Sequence, residues 1–239
     1  MAGATVVLVP GGFTGAWMWA DAAALLEGEH IDVVTLELPT VGQDSAGADF
    51  YADARAVRET LDHLGPPVVL CGHSYGGAVI TEAAAGPHPA VRHLGYLTAA
   101  VPDVGDSLVS LMSTAGADAD DAQEEGVTFR EDGLAELNRA QARRALFNDC
   151  TPERAEDGLN RLRPGNITDG AQPLTGAAWR HLPATYVRGT KDAMPEAIAP
   201  AFFEHHPDLV ELPADHCPNW SHPDLVAELL ADRARAVRT

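Results

Sequence analysis

Short, β-branched apolar runs recur along the 239-residue chain. Each is followed by a glycine- or proline-marked turn and then by a segment whose apolar residues return every three or four positions. Thr5–Val9 (TVVLV) predicts a first core strand, and Ala16–Leu26 predicts a helix in which Trp17 and Trp19 pack toward the core. Ile31–Leu36 predicts a second strand. Ala52–Leu64 predicts a helix with Val57, Leu61 and Leu64 on one face, stopped by Gly65-Pro66-Pro67. Val68 begins a third apolar run, Gly76–Ala85 reads as the helix after it, and Val91–Ala99 as the next strand. Strand and helix alternate, which predicts an α/β fold: a doubly wound, mostly parallel sheet with helices on both faces.

The alternation stops near Val101 and resumes only after Pro183. Between them lie an acidic stretch (Asp118–Glu125), an amphipathic helical pattern (Leu134–Phe147) and a helix start at Thr151-Pro152-Glu153. That start combines a threonine cap, proline in the first turn and an acid at the positive end of the helix dipole. The expected organisation is a core of residues 1–102 and 184–239 and a helical lid of residues 103–183. The lid would cover the carboxyl ends of the strands, where such sheets bind ligands. Beyond it, Ala184–Val187 and Leu209–Leu212 predict strands, and Ile198–His206 and Pro223–Val237 predict helices.

Composition narrows the function classes. A formal charge of −19 argues against nucleic acid and against anionic membrane surfaces as partners. A hydrophobic content of 46% is ample for a core, with no run long enough to span a membrane. Three cysteines show no metal-site spacing, and the N-terminus lacks signal-peptide character. The expectation is a cytoplasmic enzyme, free of cofactor and metal, whose state as monomer or homodimer the sequence leaves open.

Candidate chemistry centres on Gly72-His73-Ser74-Tyr75-Gly76-Gly77, between an apolar strand and a small-residue helix. A strand that turns at once into a helix forces the turning residue into a strained positive φ and needs nearly side-chain-free neighbours. Ser74 is then a nucleophile candidate. Pro10-Gly11-Gly12-Phe13-Thr14-Gly15 lacks the lysine of a phosphate loop and the spacing of a dinucleotide loop. It reads instead as a loop contributing backbone N–H to an oxyanion hole. Serine needs a base and the base an orienting acid. Asp192 and His216 each stand just past a strand, on the same sheet edge as Ser74, with Asp103 as a competing acid. His73 reads as a packed flank, Cys217 as a filler and Asp215 as a solvated turn residue.

These residues identify the chain as similar to the α/β-hydrolase superfamily over nearly its whole length. The resemblance is strongest to the lid-bearing branch of small bacterial carboxylesterases, plant methylesterases and plant hydroxynitrile lyases. Leu8-Val9-Pro10-Gly11-Gly12, Gly15-Ala16-Trp17, the Ser74 elbow, Gly189-Thr190-Lys191-Asp192 and Asp215-His216 carry it. It implies Ser74 as nucleophile, His216 as base, Asp192 as acid, and oxyanion donors from the backbone of Gly12 and Tyr75. Three positions depart from the branch. Pro10 stands where many relatives have histidine, and Gly11 and Cys217 stand where the lyases carry threonine and lysine, which argues against cyanide release. The expected function is hydrolysis of a small, largely apolar carboxylic ester through an acyl-enzyme, with Phe13, Tyr75, Phe147 and Trp220 as pocket walls. The rivals are a thioesterase, lactonase or lyase tailoring a secondary metabolite on the same triad, and a small-molecule-binding protein that keeps the fold without catalysis.

Overall fold

The computed structural model describes residues 3–114, 126–166, 168–206 and 208–237. Six strands form the main sheet: β1 (Thr5–Val9), β2 (Asp32–Thr35), β3 (Val68–His73), β4 (Val91–Leu97), β7 (Ala184–Gly189) and β8 (Leu209–Leu212). Their spatial order is β2-β1-β3-β4-β7-β8, and every pairing among them is parallel. Two short strands, β5 (Val127–Phe129) and β6 (Ala135–Leu137), pair antiparallel as a separate hairpin. The registers Val9↔Gly72, His73↔Leu97 and Gly189↔Leu212 bring the carboxyl ends of the central strands to one edge.

β3 shows why the run after Pro67 is continuously apolar. All six of its residues are buried. Val68 and Leu70 face one cluster with Val57, Leu61 and Ile80, while Val69 and Cys71 face another with Trp19, Leu26 and Leu230. A parallel strand covered on both faces has no solvent side on which to place polar residues. Each fully buried aliphatic side chain there contributes about 1.5–3 kcal/mol of transfer free energy.

Residues 103–183 add nothing to the main sheet among the described residues. They cross over its carboxyl edge and are sewn to the loops after β1 and β2. The Arg163 N–H donates to Phe13 O, Gly42 N–H to Pro164 O and Asn166 N–H to Thr40 O. No helix among the described residues is long and apolar enough to cross a membrane.

Three expected elements differ. The pattern at Leu134–Phe147 is split between β6 and a helix at Arg139–Leu146, because the Asn138 side chain caps the Ala140 and Gln141 N–H groups from an extended backbone. Ile198–His206 yields only one turn, Phe202–His205. Ala197 and Ala199 instead bond to Val101, an extended pairing, and Pro200 then has no N–H for a helix interior. Ala16–Trp19 is a 3-10 turn, with the α-helix following at Ala20–Gly28. The acidic stretch Asp118–Glu125 lies outside the described residues.

Candidate active site

Ser74 caps β3 with φ 53° and ψ −122°, a conformation costing of order 1–3 kcal/mol. Its neighbours show what holds it. A Cβ on Gly72 would lie 2.4 Å from Gly76 O, and one on Gly76 would lie 2.6 Å from Pro10 O. The strand, the helix Tyr75–Ala83 and the glycine loop therefore meet backbone to backbone. The Ala100 N–H donates to Ser74 O at 3.0 Å and closes the turn from the side of β4.

His216 Nε2 lies 2.9 Å from Ser74 Oγ, and His216 Nδ1 lies 2.9 Å from Asp192 Oδ2. A carboxylate only accepts, so Nδ1 carries the proton and Nε2 is left to accept from the serine hydroxyl. Asp192 Oδ1 accepts the Met194 N–H at 2.8 Å, which fixes the carboxylate's rotation. The His216 carbonyl is held twice, by the Thr98 hydroxyl at 2.7 Å and by His73 Nε2 at 2.8 Å. His73 therefore carries its proton on Nε2, and burial, aided by His216, pushes its pKa down to about 3. The structure thus brings Ser74, His216 and Asp192 into one hydrogen-bonded line. Asp103 stands elsewhere, its carboxylate held by Arg180 and its pKa lowered by that bond.

The glycine loop lies directly over the elbow. A Cβ on Gly11 would be 3.0 Å from Ser74 Cβ, and Phe13 turns the loop at φ 61°. Gly12 and Tyr75 line, with Ser74 and His216, a cavity of about 350 Å³ whose walls are mainly apolar: Phe13, Val41, Phe50, Leu108, Leu146 and Leu174. A second chamber of about 130 Å³ shares Ser74, Tyr75, Met194 and His216 and runs past Ala100 toward Pro195.

Phe147 and Trp220, expected as walls, are corrected by their positions. Phe147 is fully buried beneath the helix Pro152–Arg161, where a Cβ on Gly158 would be 2.8 Å from its ring. Trp220 meets the Trp17 ring edge-on at 5.0 Å, with the Arg154 guanidinium 3.3 Å above its own ring. Both fill the seam between the helices of residues 103–183 and the rest of the molecule, because the apolar face of those helices must itself be covered. Leu146, at the end of the preceding helix, is the side chain that reaches the cavity.

Asp215 also differs from expectation. It is fully buried and accepts the Cys217 N–H (3.1 Å) and the Ser221 hydroxyl (2.8 Å) on one oxygen, and the Asp149 N–H (3.2 Å) on the other. Asp149 in turn accepts Lys191 Nζ at 2.6 Å and His222 Nε2 at 2.8 Å. The segment around Asp149 is thereby tied to both the Asp192 loop and the His216 loop. Cys217 is buried, and its thiol is pushed well up by desolvation and by nearby Asp215, so it is inert.

Sequence reasoning missed Asp53, which is buried and accepts hydrogen bonds from Thr40 and Tyr75. A signal was present. Asp53 stands four and eight residues before Val57 and Leu61, on the apolar stripe of its helix.

Residues 6–229 match the alpha/beta hydrolase family. The alpha/beta hydrolase nvfD of Aspergillus novofumigatus is 28% identical over 245 residues, covering 96% of each chain. A carbendazim hydrolyzing esterase of a Nocardioides species is 38% identical over 118 residues, 47% of this chain and 48% of the esterase. Among solved structures, a pyrethroid hydrolase from Sphingobium faniae superposes with a TM-score of 0.82 over 98% of both chains at 22% identity, a likeness of fold. Matched from its first strand into its last helix, the chain belongs to the alpha/beta hydrolase family.

Proposed function

We propose that the protein is a cofactor-independent serine hydrolase that cleaves small, largely apolar carboxylic esters through an acyl-enzyme. The hydrogen-bonded line Ser74–His216–Asp192, opening onto an apolar cavity, is the observation that carries this reading. His216 Nε2 takes the Ser74 proton as Oγ attacks the ester carbonyl, and Asp192 holds the resulting imidazolium in place. The oxyanion is received by the backbone N–H groups of Gly12 and Tyr75, each worth about 3 kcal/mol in the transition state. Collapse expels the alcohol, which takes its proton from His216. Water, deprotonated by the same nitrogen, then attacks the acyl carbon and regenerates Ser74.

Two chambers meeting at Ser74 suit an ester with one bulky apolar part and one short part. The esterase and hydrolase names of the relatives are consistent with that class. The test is intact mass after treatment with a fluorophosphonate, which phosphonylates an activated serine with loss of fluoride. A single adduct on Ser74, absent in Ser74→Ala and His216→Ala, is expected. A folded wild-type protein that takes no label would overturn the reading in favour of a ligand-binding role. A panel of neutral esters, thioesters and lactones of graded size then ranks the leaving groups, with esters expected first.

A further inference from the structure

Behind the cavity wall lies a carboxylate that the acyl-enzyme steps do not use. Asp53 is fully buried, on the same face of the helix Phe50–Asp62 as Ala54, Val57 and Leu61. Three neutral donors converge on it: the Thr40 N–H on Oδ1 at 3.0 Å, and the Thr40 hydroxyl (2.6 Å) and the Tyr75 phenol (2.8 Å) together on Oδ2. Burying a carboxylate is costly, and donors of this kind offset only part of the cost. Burial accordingly outweighs them and leaves the carboxyl's pKa raised. An apolar residue would fill the same space without that penalty, so the carboxylate's value lies in what it holds.

What it holds is the cavity side of the site. Thr40 and Tyr75 both line the cavity beside Ser74. Tyr75 opens the elbow helix, and its peptide directly follows the nucleophile. Its ring also meets Phe50 edge-on at 6.3 Å, on the Asp53 helix itself. Pinning the phenol oxygen at one end and the helix start at the other leaves the residue little freedom. Oxyanion donors have to be placed to within about half an ångström.

We propose that Asp53 is a positioning residue for the oxyanion hole, gathering Thr40 and Tyr75 on one carboxylate and so fixing the Tyr75 peptide and the adjoining wall. The inference rests on the serine-hydrolase reading. It assigns a side chain outside the triad to the chemistry at Ser74.

The experiment compares wild type, Asp53→Asn, Tyr75→Phe and the double variant, each confirmed folded by circular dichroism at the assay temperature. The readouts are the rate of fluorophosphonate labelling of Ser74, kcat and KM for a neutral ester, and affinity for a trifluoromethyl ketone. In both single variants labelling and kcat fall about 10-fold with KM within about 2-fold, and ketone affinity falls in step with kcat/KM. The double variant is no worse than the worse single, because both changes break one linkage. Lower melting temperatures with labelling and kcat at wild-type levels would overturn the assignment and leave Asp53 a folding residue. So would losses that multiply in the double variant, or a rise confined to KM. Should Asp53→Asn fail to fold, Tyr75→Phe carries the test, since it removes the linkage and leaves the carboxylate its Thr40 donors. Wild-type protein that takes no label would instead remove the serine-hydrolase reading, and the oxyanion role of Asp53 with it.

Discussion

His73 stands next to Ser74 in the chain, yet its ring bonds to the His216 backbone and not to the serine hydroxyl. Burial pushes its pKa to about 3, and its ring donates to the backbone carbonyl of His216. His93, in β4 and bonded to Thr185, is likewise pushed down, to about 4, mainly by desolvation. A histidine whose folded pKa is depressed binds fewer protons folded than unfolded, so its contribution to stability rises with pH. That contribution is complete above the unfolded value near 6.5 and is lost as pH falls toward the folded values. Between pH 6.5 and 4 the stability should fall by about 1.4 kcal/mol per pH unit for each ring. Urea melts at pH 7, 6, 5 and 4 check this. A midpoint that stays level down to pH 5 would show that these rings titrate normally. The same logic of a single side chain explains the glycines: at Gly72 and Gly76 any Cβ would collide with backbone, so the elbow admits no substitute there.

Among the elements, the helix Arg139–Leu146 and its end are where adjacent residues part company. Leu146 ends the helix Arg139–Leu146 and lines the cavity, while Phe147 turns inward to the seam with Met18 and Trp220. Leu146→Ala should therefore enlarge the site, shifting the ester-size optimum upward and raising KM for small substrates. Phe147→Ala should instead destabilise the fold by about 3–5 kcal/mol and leave the size preference of the folded protein unchanged. Melting curves paired with an ester series check both. An unchanged size profile in Leu146→Ala would remove that residue from the wall. The capping logic at Asn138 and Thr151 belongs to this level too, since each side chain accepts from free N–H in the first turn of its helix. The threonine cap was readable in advance. The asparagine cap was not, because the hydrophobic spacing of Leu134–Phe147 fits a helix on both sides of it.

For the whole molecule, the formal charge of −19 sets a field that the site must work within. An ester carrying a carboxylate should show a lower kcat/KM than its neutral isostere at low ionic strength, with the gap narrowing as salt screens the field. Rates for the pair at about 10 mM and about 500 mM salt check this, and a gap indifferent to salt would point to contacts within the cavity instead.

Much of this architecture is local chemistry and could be read along the chain. Buried strands need continuous apolar runs, an elbow needs glycines on either side of its serine, and residues that follow parallel strands emerge on one edge. Those requirements made Ser74, Asp192 and His216 readable together, with the glycine loop beside them. Asp53, Asp215, Phe147 and Trp220 could not be assigned in this way. Whether an aspartate is solvated or buried depends on which peptide and hydroxyl groups another element brings to it, and the donors to Asp215 include Asp149, far away in the chain. Likewise an aromatic residue becomes cavity wall or seam filler according to which elements pack around it. Periodicity specifies which residues leave water, but packing alone decides which partners they meet when they do.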